Sequence, residues 1–132
     1  MKRIAIFCDG TWNSPTIPET TNAHHLYDAC VQDDGQTVIY RAGVGTGELS
    51  GKVTTTLNKI FGGAFGWGLA RNVKQTYAQL CEVYEPEDEI YIFGFSRGAY
   101  TARSLAGMIR KCGIIPKDKL GPIKLASAWN LY

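Results

Sequence analysis

Five consecutive residues, Gly94-Phe95-Ser96-Arg97-Gly98, place a serine midway between two glycines. Alone, G-x-S-x-G is a common pentapeptide. Its surroundings make it specific, because the apolar run Ile90-Tyr91-Ile92-Phe93 precedes it and small residues follow at Ala99, Ala102 and Ala106. A strand that turns sharply into a helix lifts a serine hydroxyl above the sheet, as a nucleophile elbow requires. The backbone of such a turn is strained, and side chains two positions away would collide with strand and helix, so Gly94 and Gly98 stand there. The chemistry on offer is acyl transfer, with Ser96 as nucleophile. The Arg97 amide, at the N-terminus of the helix, would face the developing oxyanion. The plainer alternative is an ordinary strand-to-helix turn with a capping serine.

A second candidate segment is Asp9-Gly10-Thr11-Trp12-Asn13, directly after an apolar run at residues 3–8. Where a serine elbow operates, the second oxyanion donor is an amide in the loop after a strand beside the nucleophile strand. Gly10 or Thr11 is the expected donor, and Asp9 can hold the loop by accepting backbone N–H groups. A plain Asp-Gly turn is the alternative. Three competing motifs fail. A phosphatase D-x-D-G-T needs an aspartate where Phe7 stands. A P-loop reading of Gly45–Val53 puts Thr46 at its first glycine and Val53 at its magnesium-binding hydroxyl. Gly43-Val44-Gly45-Thr46-Gly47 neither completes G-x-G-x-x-G nor opens a helix directly. This glycine-rich stretch reads as a loop over or near the site, or as a surface loop.

A serine nucleophile needs a base beside it and an acid behind the base. His24 and His25 are the two histidines of the sequence, and the one acidic residue after Ser96 is Asp118. In an elbow fold the chain order is serine, acid, histidine, so the triad is incomplete here and its acid and base are expected beyond Tyr132. Either histidine could substitute only by leaving that order, and both read as surface or capping residues at a helix start. Cys8, Cys30, Cys81 and Cys112 form no C-x-x-C pair, so no zinc or redox signature arises and reduced, mostly buried thiols are expected. No metal and no organic cofactor is expected. A formal net charge of +2 with scattered basic residues argues against nucleic acid as a partner. Arg97 and Arg103 read as surface charge, with contact to an anionic head group as the alternative.

These residues need elements to hold them. Residues 3–8 predict a strand buried on both faces and ended by Asp9-Gly10. Thr21 or Asn22 caps a helix running to about Gln32, and Val38–Tyr40 form a second strand. A helix from near Ala64 to about Tyr84 puts Leu69, Val73, Tyr77 and Leu80 on one face. A third strand spans Glu89–Phe95, a helix runs from Gly98 to about Lys111 and stops at Gly113, and another begins near Ile123. The alternation predicts an α/β fold: the front portion of an α/β-hydrolase, with a parallel sheet in the order 2-1-3 and helices on both faces. The 132 residues, 45% of them hydrophobic, are read as one domain, the N-terminal part of the larger hydrolase domain. An exposed sheet edge then predicts marginal stability or self-association.

Phe7-Cys8-Asp9-Gly10-Thr11-Trp12-Asn13, Gly43-Val44-Gly45-Thr46-Gly47 and Gly94-Phe95-Ser96-Arg97-Gly98-Ala99 together resemble an uncharacterised α/β-hydrolase family. That family includes bacterial type VI secretion phospholipase effectors with a G-F-S-R-G-A elbow. The resemblance covers most of the chain, in order. It implies a carboxylic ester hydrolase acting on phospholipid acyl esters, with peripheral membrane contact. No signal-peptide core or membrane-spanning run is legible, so cytoplasmic synthesis and signal-independent delivery are expected. The reading from another class is a non-catalytic, hydrolase-like module that binds a lipid or inhibits a longer relative.

Overall fold

A strand with apolar side chains on both faces must be covered on both, and β1 (Arg3–Cys8) is buried from Ile4 to Cys8. The computed structural model describes residues 1–10, 20–43 and 64–132, the side chains of residues 64–67 excepted. In it β1 lies between β2 (Gln36–Arg41) and β3 (Glu89–Gly94), giving the expected order β2-β1-β3. Both pairings are parallel and in step. Arg3 stands opposite Gln36 and Glu89, and Cys8 opposite Arg41 and Gly94.

Helix α1 (Asn22–Ala29) lies between β1 and β2 in the chain, and α2 (Ala64–Val83) precedes β3. Helix α3 (Gly98–Cys112) follows β3, and α4 (Pro122–Leu131) comes last. Ile4, Ile6 and Cys8 join Val73, Tyr77, Leu80 and Cys81 of α2 and Ala102, Leu105 and Met108 of α3 in one buried cluster. The opposite face of β1 meets α1, where Phe7 packs edge-on to Tyr27 with ring centroids 6.3 Å apart. The chain thus reverses direction across the sheet as it changes face, which keeps both crossovers of one hand. Phe7 also stacks on Phe93 at 4.8 Å. Beyond that pair the face opens into a groove of about 250 Å³ lined by Ala5, Phe7, Leu26, Tyr91 and Phe93 among others.

Helix α3 stops where predicted, because Gly113 takes φ 70 and its N–H bonds Ile109 O. Tyr77, fully buried, donates its hydroxyl to Gly113 O at 2.9 Å. Burial raises that phenol well above its ordinary value. Two elements differ from expectation in their bounds, and one was not foreseen. Helix α1 ends at Ala29 rather than near Gln32, because Cys30 turns extended and its N–H returns to Tyr27 O. Strand β2 runs from Gln36 to Arg41 rather than from Val38 to Tyr40, since its length is set by the ladder with β1. A 3₁₀ turn at Lys117–Lys119 precedes α4.

At the N-terminal end of the sheet Asp88 is a lock. Its carboxylate accepts from the Lys2 amide at 2.8 Å, the Lys2 ammonium at 2.6 Å and the Glu85 amide at 2.9 Å. Burial alone would raise its pKa, but these donors outweigh it and bring the carboxyl down to about 2. All four cysteines are free thiols, with Cys8 and Cys81 buried. Burial pushes Cys8 up to about 11, only partly offset by Arg41, so it is no nucleophile at neutral pH. Among the described residues no helix is long and apolar enough to cross a membrane.

Candidate active site

The path from β3 into α3 is a single sharp turn. Phe95 continues the ladder by bonding Cys8 O through its N–H at 3.0 Å. Ser96 then takes φ 53, in the left-handed region. Gly98 N already donates to Phe95 O at 2.8 Å and Ala99 N to Ser96 O at 3.0 Å, so the helix begins without an intervening loop. A positive φ costs a residue with a β-carbon about 1–2 kcal/mol and persists only where its surroundings enforce it. Gly98 is one source of that enforcement. A Cβ there would fall on the Cys8 carbonyl oxygen and within 2.8 Å of the Asp9 carbonyl carbon. At Gly94 a Cβ would lie 2.6 Å from Ala99 Cα. Gly94 therefore makes way for the helix, as expected, whereas Gly98 makes way for the end of β1. Ser96 itself is exposed.

The segment after β1 runs directly against this turn. A Cβ on Gly10 would overlap the Arg97 amide nitrogen and stand 2.5 Å from Phe95 O and 2.6 Å from Gly98 N. Asp9, 3% exposed, holds the segment from behind. Its Oδ1 accepts from Gly10 N at 2.7 Å, and its Oδ2 accepts from the Thr21 hydroxyl at 2.5 Å and the Tyr40 hydroxyl at 2.7 Å. Thr21 Oγ1 in turn caps α1 by accepting from His24 N at 3.1 Å. The Tyr40 phenol is raised beyond its ordinary range, by burial first and then by its bond to the Asp9 carboxylate. From the front, Arg97 Nε donates to Gly10 O at 2.9 Å. Burial lowers the pKa of this half-buried guanidinium.

The structure thus brings Asp9, Gly10, Gly94, Ser96, Arg97 and Gly98 together. Gly10 was one of two expected oxyanion donors, yet its N–H points inward to Asp9. Thr11, the other, lies outside the described residues, as does the glycine-rich stretch after Gly43. Gly43 itself is buried at the site, where a Cβ would come within 2.8 Å of Asp9 O. Thr21 caps α1 as expected, but its bond to Asp9, like that of Tyr40, was not anticipated. The strand register carries the signal for Tyr40, because it pairs with Phe7 and so stands one residue before the end of β2, near Asp9.

Neither histidine serves Ser96. His24 Nδ1 is 2.8 Å from Asp28 Oδ2, out of line for a hydrogen bond, and its ring packs edge-on to Tyr40 at 5.3 Å. His25 Nε2 meets the Thr20 hydroxyl at 2.8 Å. Among the described residues no hydrogen bond reaches the Ser96 hydroxyl, and no group of three or more His, Cys, Asp or Glu could hold a metal. Arg103 is exposed on α3.

Residues 2–132 match the family described as type VI secretion system phospholipase effector Tle1-like, catalytic domain. The chain is also similar to Uncharacterized protein YEL023C of Saccharomyces cerevisiae, with 32% identity over 140 residues. That alignment covers 99% of the chain but 20% of the yeast protein, so the chain spans about a fifth of this relative's length. No solved structure matches it significantly.

Proposed function

The chain belongs to the Tle1-like phospholipase effector catalytic-domain family, and we propose that it carries the nucleophile of a serine phospholipase, Ser96, on an α/β-hydrolase elbow. The observation that carries this reading is the left-handed backbone of Ser96 at the junction of β3 and α3. Glu87 is left-handed as well, in the turn before β3, so the weight lies in where the strain falls: on an exposed serine between a strand end and a helix start, pressed against the segment after β1.

In this mechanism Ser96 Oγ attacks the carbonyl carbon of a phospholipid acyl ester and its proton passes to a histidine. The tetrahedral oxyanion is met by the Arg97 amide and by an amide of the segment after Asp9. Because Gly10 N–H is taken by Asp9, the second donor falls to Thr11. Collapse expels the lyso-alcohol, and water attacks the acyl-serine to release the fatty acid and restore Ser96. Since neither His24 nor His25 bonds Ser96, the base and its acid are assigned to sequence beyond Tyr132. Residues 1–132 are then the N-terminal portion of the hydrolase domain.

Exposed Tyr91 and Phe93 along β3, with Phe95 just after it, suit peripheral contact with lipid or a second copy against this edge. Synthesis in the cytoplasm with delivery by a secretion machine fits the family. The alternative from another class, a non-catalytic binding or inhibitory module, draws on the lack of a described partner for the Ser96 hydroxyl. The discriminating test is release of fatty acid from phosphatidylcholine vesicles by the full gene product beside its Ser96→Ala variant. Release that the substitution abolishes supports the enzyme. Equal release from both, or none from either, sinks it.

A further inference from the structure

The serine turn has a support that reaches it from the far edge of the sheet. Gly10 Cα lies against the peptide that joins Ser96 to Arg97: a Cβ there would overlap Arg97 N and stand 2.5 Å from Phe95 O. Any shift of Gly10 is therefore felt by the backbone that carries the Ser96 side chain and the Arg97 amide. Gly10 in turn is held by Asp9 Oδ1, which accepts its N–H at 2.7 Å. A carboxylate is planar and turns as a unit about a soft torsion, so one oxygen stays aimed only when the other is fixed too. On Asp9 that other oxygen, Oδ2, accepts from the hydroxyls of Thr21 at 2.5 Å and Tyr40 at 2.7 Å.

The two hydroxyls differ in what else they do. Thr21 Oγ1 also accepts from His24 N and caps α1, which by itself accounts for a threonine at that position. The ring of Tyr40 packs against Tyr27 at 4.9 Å and edge-on to His24 at 5.3 Å, contacts that a phenylalanine would make equally well. Its hydroxyl is the part that this packing does not require, and it goes to Asp9. We propose that Tyr40 is a positioning residue for Ser96: its hydroxyl, acting through Asp9 and Gly10, holds the end of β1 against the serine turn. The inference rests on the serine-hydrolase reading and deepens it. The route crosses all three strands, because Tyr40 lies in β2, Asp9 and Gly10 follow β1, and Ser96 follows β3. Burial, and then the bond to Asp9, raise the Tyr40 phenol well beyond its ordinary range, so it keeps its proton and stays a donor throughout the neutral range.

The test uses the full gene product as wild type, Tyr40→Phe, Asp9→Asn, the double variant and Tyr77→Phe. Tyr77 is the matched control, a buried tyrosine whose hydroxyl donates to Gly113 O at the far end of α3. Two readouts are taken on folded protein: the second-order rate of Ser96 labelling by a fluorophosphonate, and kcat and KM for p-nitrophenyl butyrate. The expected result for Tyr40→Phe is labelling slower by about 10-fold, with kcat falling in step and KM unchanged. Tyr77→Phe should lower the unfolding midpoint and label like wild type. Asp9→Asn should label at least as slowly as Tyr40→Phe, and combining the two should slow it by less than about twofold more, because they cut the same path. Labelling and kcat at wild-type values in Tyr40→Phe overturn the proposal. So does an equal loss in Tyr77→Phe, which would make the effect one of stability alone, and so do losses that multiply in the double variant. Should one single variant fail to fold, the other decides by the same comparison with wild type. A folded wild type that neither labels nor turns over contradicts the serine-hydrolase reading itself, and the role of Tyr40 falls with it.

Discussion

Two buried aspartates sit at opposite ends of the same sheet and are used differently. Asp88, at the N-terminal end, accepts two backbone amides and the Lys2 ammonium, tying the start of β1 to the turn before β3. Asp9, at the C-terminal end, accepts from Gly10 N and from the hydroxyls of Thr21 and Tyr40, tying the segment after β1 to the cap of α1 and to the end of β2. The Asp88 end has a left-handed residue of its own, Glu87 at φ 74, in an exposed turn before β3. The Asp9 end has a serine at φ 53 and glycines with no space for a side chain. The same carboxylate chemistry closes an exposed left-handed turn at one end and backs a turn crowded by neighbouring backbone at the other. A left-handed residue alone marks no function, but close support packed against an exposed serine is what preorganisation requires.

The sharpest way to break the contrast is to refill the crowded end. Gly98→Val forces a side chain onto the end of β1 and should cost about 3 kcal/mol or more, read as a collapse of the urea midpoint. If the midpoint holds, the serine turn is less tightly seated than its contacts require. Next in size are the aspartates themselves. Asp9→Ala leaves two hydroxyls and an amide to find other partners, and should cost about 3 kcal/mol, against about 2 kcal/mol for Asp88→Ala beside the partly exposed Lys2. Thermal unfolding of the pair gives the order, and a larger loss at Asp88 would reverse the assignment of roles.

How far the sequence foretold these two ends differs as well. The strand at residues 3–8 and the glycine-flanked serine were legible because they are local. A short apolar run ended by Asp-Gly reads as a buried strand, and two glycines around a serine between a strand and a helix read as a close-packed turn. The supports were not legible, because they are contacts between distant residues. Arg97 reaches a carbonyl 87 positions earlier, and Lys2 reaches Asp88 across 86 positions. No periodicity encodes such pairs. The start of β2 was misjudged for the same reason, since Gln36 takes its conformation from its pairing with Arg3.

Two smaller predictions sharpen the comparison. Ser96→Gly removes the β-carbon from a left-handed backbone and should raise stability by about 1 kcal/mol, while ending any reaction at that position. An unfolding midpoint that falls instead would mean the turn is not strained. Asp88 should govern the acid limb of stability. Its folded pKa of about 2 lies below the ordinary 3.8 of an aspartate, so its contribution is complete above the unfolded value and is lost as pH falls from about 4 towards 2. Asp88→Asn should flatten that limb, measured as urea midpoints across that range, and an unaltered limb would move the effect to other carboxylates.

The most direct measurement of the central claim is the mass and site of the adduct formed when the full gene product meets a fluorophosphonate, with Ser96→Ala in parallel. The account predicts one adduct, located on Ser96 and absent from the variant. An adduct on another residue, one that survives Ser96→Ala, or none on the folded wild-type protein would contradict it.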